Sequence, residues 1–115
     1  MKVIQRPLIV TKGTATSGAI AVTRTALDQE RLLSVTLKLN TAPTTSQAFT
    51  ITLNANSGAT YDVLLYSLDL STESVTSLVY IPDEELVLVA GDAINVAYTN
   101  TDARTYGVEI RTMPV

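Results

Sequence analysis

Apolar and polar residues alternate along most of this chain with a period of two, the pattern of strands that bury one face and wet the other. Leu33, Val35, Leu37 and Leu39 alternate with Ser34, Thr36, Lys38 and Asn40, and Phe49, Ile51 and Leu53 alternate with Thr50, Thr52 and Asn54. Between these runs the stretch TAPTTSQ, residues 41–47, is rich in turn formers and reads as a loop. The string YDVLLY at 61–66 is apolar on both faces beyond Asp62, which predicts a central strand covered on both sides. SLDLSTES then supplies a polar connection. Leu78 to Ile81 reads as a short strand closed by Pro82, whose missing N–H interrupts a ladder. Leu86 to Val89 follows, then a tight Ala90-Gly91-Asp92 turn. Ile94, Val96 and Tyr98 are the inward positions of the next strand, and Asn100-Thr101-Asp102 is a second turn. Tyr106, Val108 and Ile110 close the pattern, with Gly107, Glu109 and Arg111 on the other face.

Upstream, Ala19 to Thr25 reads as a strand preceded by a small-residue loop, TKGTATSG, and residues 2–10 form one more extended segment. A short helix over Leu27 to Leu32 competes with a turn there, and the turn is preferred. Gly13, Gly18, Gly58 and Gly91 are read as turn positions and Gly107 as a bulge or a close backbone approach. Eight to nine strands at a spacing of about 8–12 residues predict an all-β fold, an antiparallel β-sandwich of jelly-roll-like form. Residues 14–115 are assigned to that sandwich domain, and residues 1–13 to an extended N-terminal arm or edge strand. The flanks of Pro7, KVIQ and LIVT, have high β-propensity and need a sheet edge to pair with, in this subunit or in a neighbour.

Composition narrows the role. The chain has 115 residues, 46% of them hydrophobic and 17% charged, against about 25% charged in ordinary soluble proteins. One core is affordable, and Thr, Ser and Asn fill the solvated faces in place of charge. The net charge is −3, and Lys2, Arg6, Lys12, Arg24, Arg31, Lys38, Arg104 and Arg111 are scattered along the sequence. That distribution lacks the clustered basic footprint of a nucleic-acid binder. No run approaches the roughly 20 apolar residues of a membrane span. The apolar stretch near the start, broken by Arg6 and Pro7, is too short for a signal-peptide core, so synthesis in the cytoplasm is expected.

Histidine and cysteine are both absent, which removes catalytic triads, thiol chemistry, disulfides and the usual zinc ligands together. Carboxylate pairs remain among Asp28, Asp62, Asp69, Asp83, Asp92, Asp102, Glu30, Glu73, Glu84, Glu85 and Glu109, each read first as a solvated surface charge. Asp83 to Glu85 and the Asn100-Thr101-Asp102 turn carry oxygen ligands of the kind calcium prefers, without matching an EF-hand loop. The tyrosines Tyr61, Tyr66, Tyr80, Tyr98 and Tyr106 are read as core-edge rings with hydroxyls reaching water, and the absence of tryptophan weakens a stacking site for sugars. No cofactor and no catalytic residue is expected.

The C-terminal string LVLVAGDAINVAYTNTDARTYGVEIRTMPV, with its A-G-D turn, N-T-D turn and closing Y-G-V strand, resembles the final strands of small jelly-roll or β-sandwich domains in tailed-bacteriophage virion proteins, including capsid decoration (cement) proteins. The TATSGAI opening is similar in style. The resemblance implies a non-enzymatic subunit located in the virion that docks on a head or tail lattice, with itself and the major capsid or another virion protein as partners, most simply as a trimer. Neither nucleic acid nor membrane is an expected partner. The docking residues expected are those of the arm: Lys2, Val3, Ile4, Arg6, Pro7, Leu8, Ile9 and Val10. Two other classes compete. One is a carbohydrate- or receptor-binding sandwich using loops 54–60 and 99–105, with or without calcium. The other is a small lyase or hydrolase built on carboxylates and tyrosine.

Overall fold

A computed structural model of the chain describes residues 8–115. Among these, nine strands form: β1 (Ile9–Ala15), β2 (Ile20–Thr25), β3 (Glu30–Leu39), β4 (Ala48–Asn54), β5 (Val63–Asp69), β6 (Ser77–Tyr80), β7 (Val87–Leu88), β8 (Ala93–Tyr98) and β9 (Tyr106–Pro114). Two antiparallel sheets result, one in the order β1-β9-β3-β6 with the short β7 also on β3, the other in the order β2-β8-β4-β5. Successive strands mostly cross between the sheets, while the first and last strands pair with each other at one end of the first sheet. This order is that of a jelly roll, a β-sandwich whose sheets pack face to face.

The alternation read from the sequence is the one that is buried, except at the head of the third run, where a bulge leaves Leu33 out of phase and Leu32 takes the inward place. Val35, Leu37, Phe49, Ile51, Ile94, Val96, Val108 and Ile110 point between the sheets and are almost entirely excluded from solvent. Side chains at successive positions of a strand leave opposite faces, so Thr36, Lys38, Glu109 and Arg111 necessarily point outward.

Several expectations are corrected. The YDVLLY segment is not a central strand: β5 lies at the edge of its sheet, Val63 and Leu64 are 48% and 59% exposed, and Tyr61 belongs to a short 3-10 turn, Ala59–Tyr61. Its extra apolar residue arises from a bulge, where Ile51 and Thr52 of β4 face Tyr66 and Leu64 and leave Leu65 over. A run apolar on both faces was therefore a bulged edge rather than a doubly covered centre. The supposed polar connection after it starts inside β5 and includes Leu70, which is fully buried. Thr11 to Ala15 of the expected TKGTATSG loop are strand, leaving only 16–19 to turn the chain. No helix forms at 27–32, where β3 starts at Glu30.

Gly13 is not a turn residue either. It sits in β1, where a Cβ would collide with the Val22 side chain of β2, so this is the close approach that had been expected at Gly107. Gly107 keeps regular register with Thr14 and Lys38 and has open space above it.

The two narrow sides of the sandwich differ. On one, β1 and β2 lie together, closed by the Gly13–Val22 contact. On the other, β5 and β6 face each other, with the Tyr66 and Tyr80 rings 5.4 Å apart. The β6 edge is broken. Tyr80 pairs with Val35 and Val87 with Arg31, so residues 81–85 leave the ladder opposite the β3 bulge at Leu33, and the Leu32 N–H rejoins it at the Leu86 carbonyl, 3.0 Å away.

Candidate interaction surfaces

Of the expected docking residues, Lys2, Val3, Ile4, Arg6 and Pro7 lie outside the described residues. Leu8 is exposed ahead of β1, Ile9 is half-buried opposite Thr112, and Val10 is exposed opposite Arg111. Ile9 to Ala15 form a full edge strand on β9, so this part of the assigned arm is integral to the sheet.

Exposed apolar residues gather mainly on the opposite side. Tyr61, Val63 and Leu64 flank or occupy β5, while Val79, Ile81, Val87 and Val89 follow the broken β6–β7 edge. The Tyr66–Tyr80 contact sets the two strands side by side, so these residues lie along neighbouring edges, with Val79 and Leu64 turned onto the outer faces of their two sheets. Edge strands normally carry devices against pairing. The β6–β7 edge has Pro82 and the acidic Asp83, Glu84 and Glu85 in its break. β5 has apolar side chains and no proline, and its one such device among the described residues is the bulge at Leu65.

Charge follows the same division. The basic residues, scattered to the eye, are absent from residues 39–103, which carry eight of the 11 acidic ones. Six of those, Asp62, Asp69, Glu73, Asp83, Glu84 and Glu85, flank β5, β6 and the β6–β7 break. On the far side stand Lys12 in β1, Arg24 in β2, and Arg111 in β9. Glu109 is shared there by Lys12 at 3.7 Å and Arg111 at 3.0 Å, and the Arg111 guanidinium above all holds its carboxyl below the ordinary value. The only ion pair reaching the acidic side among the described residues is Arg31 with Glu85, at 3.7 Å.

Not every acid is a surface charge. Glu30 is 2% exposed and receives the Arg24 guanidinium on both oxygens, at 3.1 and 2.5 Å. Burial by itself would raise its pKa. Arg24, the neighbouring Thr112 hydroxyl and the Leu27 N–H outweigh burial and hold it below 4.5. Asp92, also buried, accepts from the N–H groups of Asn56 and Val89.

The expected calcium residues are otherwise employed or dispersed. Asp102 accepts the N–H groups of Thr44 and Thr45 at 2.9 and 2.8 Å and the Thr45 hydroxyl, and these contacts lower its pKa. Among the described residues no three acidic groups converge as a metal site. Loops 54–60 and 99–105 stand at opposite ends of the sandwich, since Asn54 pairs with the first residue of β8 and Thr99 follows its last. They cannot form one site.

Asn100, read as a simple turn residue, is the centre of the upper loops. Buried and at φ 57°, it donates to the carbonyls of Gly18 and Arg104, at 2.7 and 3.0 Å, and accepts the Arg104 N–H. An asparagine in the N-T-D string was the available signal, since Asn tolerates positive φ. Tyr98 likewise departs from expectation: its hydroxyl is buried without a partner among the described residues, and burial raises its pKa.

The outer face of the first sheet carries a depression of about 510 Å³ over Gly107, rimmed by Lys12, Thr14, Lys38, Ser77 and Val79. It exists because Gly107 has no side chain where neighbouring strands have Thr14 and Lys38. Comparison with protein-family models and with curated proteins finds no match to this chain.

Proposed function

We propose that this chain is a non-enzymatic structural subunit of a tailed-phage virion, a decoration protein that stabilises the head lattice by binding to it and to copies of itself. The observation that supports this reading is the apolar β5 edge, Val63 and Leu64 above all, which ends its sheet with exposed apolar side chains. The C-terminal resemblance supplies the virion context, and the fold alone would not. The test is composition and strength of particles: the chain is expected as a stoichiometric component of purified virions, and heads lacking it are expected to rupture at lower temperature. Its absence from particles overturns the proposal.

A second reading is favoured by the Gly107 depression. A mainly apolar hollow with Lys12, Thr14, Lys38 and Ser77 at its rim suits a ligand with an apolar face and hydroxyls at its edge, which makes a carbohydrate- or receptor-binding sandwich the alternative. Glycan-array binding that disappears on filling the groove supports that alternative; an array without binding removes it.

A further inference from the structure

We infer that copies of this chain associate head to tail, the β1 edge of one lying against the β5 edge of the next. The inference rests on the reading of the chain as an assembling subunit and specifies how that assembly is made.

Three observations converge on it. Among the described residues both strands end their sheets, so each presents a row of backbone donors and acceptors, that of β5 interrupted by the bulge at Leu65. Both present apolar side chains at that edge, Leu8 and Val10 at β1 and Val63 and Leu64 at β5. The charges around them are opposite. Lys12, whose side chain is 70% exposed, and Arg111 stand on or beside β1 and share the single carboxylate of Glu109, which leaves one positive charge in excess, with Lys2 and Arg6 preceding the strand in sequence, whereas Asp62 and Asp69 bracket β5 and no Lys or Arg occurs between residues 39 and 103.

The same charges argue against the simpler two-fold arrangement. Antiparallel pairing of β5 with a second β5 sets Asp62 of each copy towards Asp69 of the other, with Glu73 and the 83–85 acids alongside. Like charges across such a seam are unfavourable. The β6–β7 edge is the other conceivable partner for β1, but its four-residue strand, its Pro82 and its 81–85 excursion shorten the ladder. β5 and β1 are both seven residues long. A contact between unlike edges is heterologous, so it propagates to a third copy and closes as a ring if the angle allows.

The test uses two variants of the whole chain, Leu64→Lys to block the β5 edge and Val10→Glu to block the β1 edge. Both positions are solvent-facing, and a melting temperature within about 3 °C of the parent checks that each still folds. In sedimentation velocity at low salt the parent is expected to rise above the 12.3 kDa monomer with concentration. Each variant alone is expected to stay monomeric. Their mixture is expected to form a 1:1 dimer and stop, because Leu64→Lys keeps a working β1 edge and Val10→Glu a working β5 edge. Added salt is expected to weaken the parent's association at least severalfold as the opposed charges are screened.

A mixture that remains monomeric, or a parent that never associates, overturns the inference. A chain found on virions yet monomeric in solution and inert in the mixing test loses the edge pairing alone. Complementing variants from a chain absent from virions lose the virion reading alone.

Discussion

Arg24 on β2 and Glu30 at the start of β3 form a two-point ion pair between the sheets, with Glu30 almost wholly out of water. Arg24→Ala leaves the carboxylate buried without its partner, and a loss of about 3–5 kcal/mol of folding free energy is expected. The double change Arg24→Met with Glu30→Leu removes both charges and is expected to cost far less. Urea denaturation of the three chains decides it: equal losses in the single and double variants would show that the pair's charges are not the issue.

Acid should destabilise this protein in a defined interval. Glu30, Asp102 and Glu109 all titrate below their ordinary values when folded, and hydrogen bonds from Ser46 and Ser71 bring Asp69 from 3.8 to about 2. Folding therefore releases protons in that interval, so the stability is present at neutral pH and is lost as pH falls. Urea midpoints are expected to hold from pH 7 to about 5.5 and then to decline from about 4.5 downward. Glu30→Gln should be less stable at pH 7 and flatter through the upper part of the decline. A variant whose midpoint falls in parallel with the parent's would remove Glu30 from the acid response.

Two strand glycines should respond oppositely to alanine. At Gly13 the new methyl meets Val22, and a loss of about 1–3 kcal/mol is expected from overpacking. At Gly107 nothing lies within 4 Å, so alanine should be neutral or add about 0.5–1 kcal/mol by restricting the unfolded chain. Thermal melting of the pair gives the sign of each. Gly107→Thr is also the change that fills the outer depression in the glycan test.

Asn100 combines a left-handed backbone with three side-chain hydrogen bonds. Asn100→Gly keeps the backbone unstrained but empties the bonds, and Asn100→Ala adds strain of about 1 kcal/mol to the same loss. Alanine is therefore expected to be the worse of the two by that margin in denaturant unfolding. A glycine variant as stable as the parent would mean that the side-chain bonds contribute nothing.

How much of this was legible beforehand depended on whether a residue's role was local. The inward sets on β4, β8 and β9, and on β3 from Val35 onward, were readable because period-two alternation survives folding there, whereas the bulge at Leu33 breaks the phase and buries Leu32 in its place. The position of β5 was not, because Leu65 is accommodated by a bulge, and a bulge makes an exposed edge look apolar on both faces. Gly13 and Gly107 were exchanged in role for a similar reason: what a glycine's missing side chain allows depends on the strand across from it, Val22 in one case and open solvent in the other. Glu30 looked like any surface acid until the fold brought Arg24 to it, and the basic residues looked dispersed until strand order set Lys12, Arg24 and Arg111 away from the β5–β6 side, with Arg31 and Lys38 beside β6 and β7. The candidate docking residues named in advance were judged from β-propensity and the charges of Lys2 and Arg6, which point to the segment around β1, while the exposure of Val63 and Leu64 at the β5 edge depends on strand order.

The excursion at 81–85 separates chain length from sheet geometry. Because Tyr80 and Leu86 are anchored to β3 on either side of it, the residues between them set no register and bear no inward side chain of the core. A foreign peptide spliced between Pro82 and Glu85 would be carried outward on a fixed base, which makes this loop the natural point at which to equip the sandwich with an epitope or a fluorophore without rebuilding it.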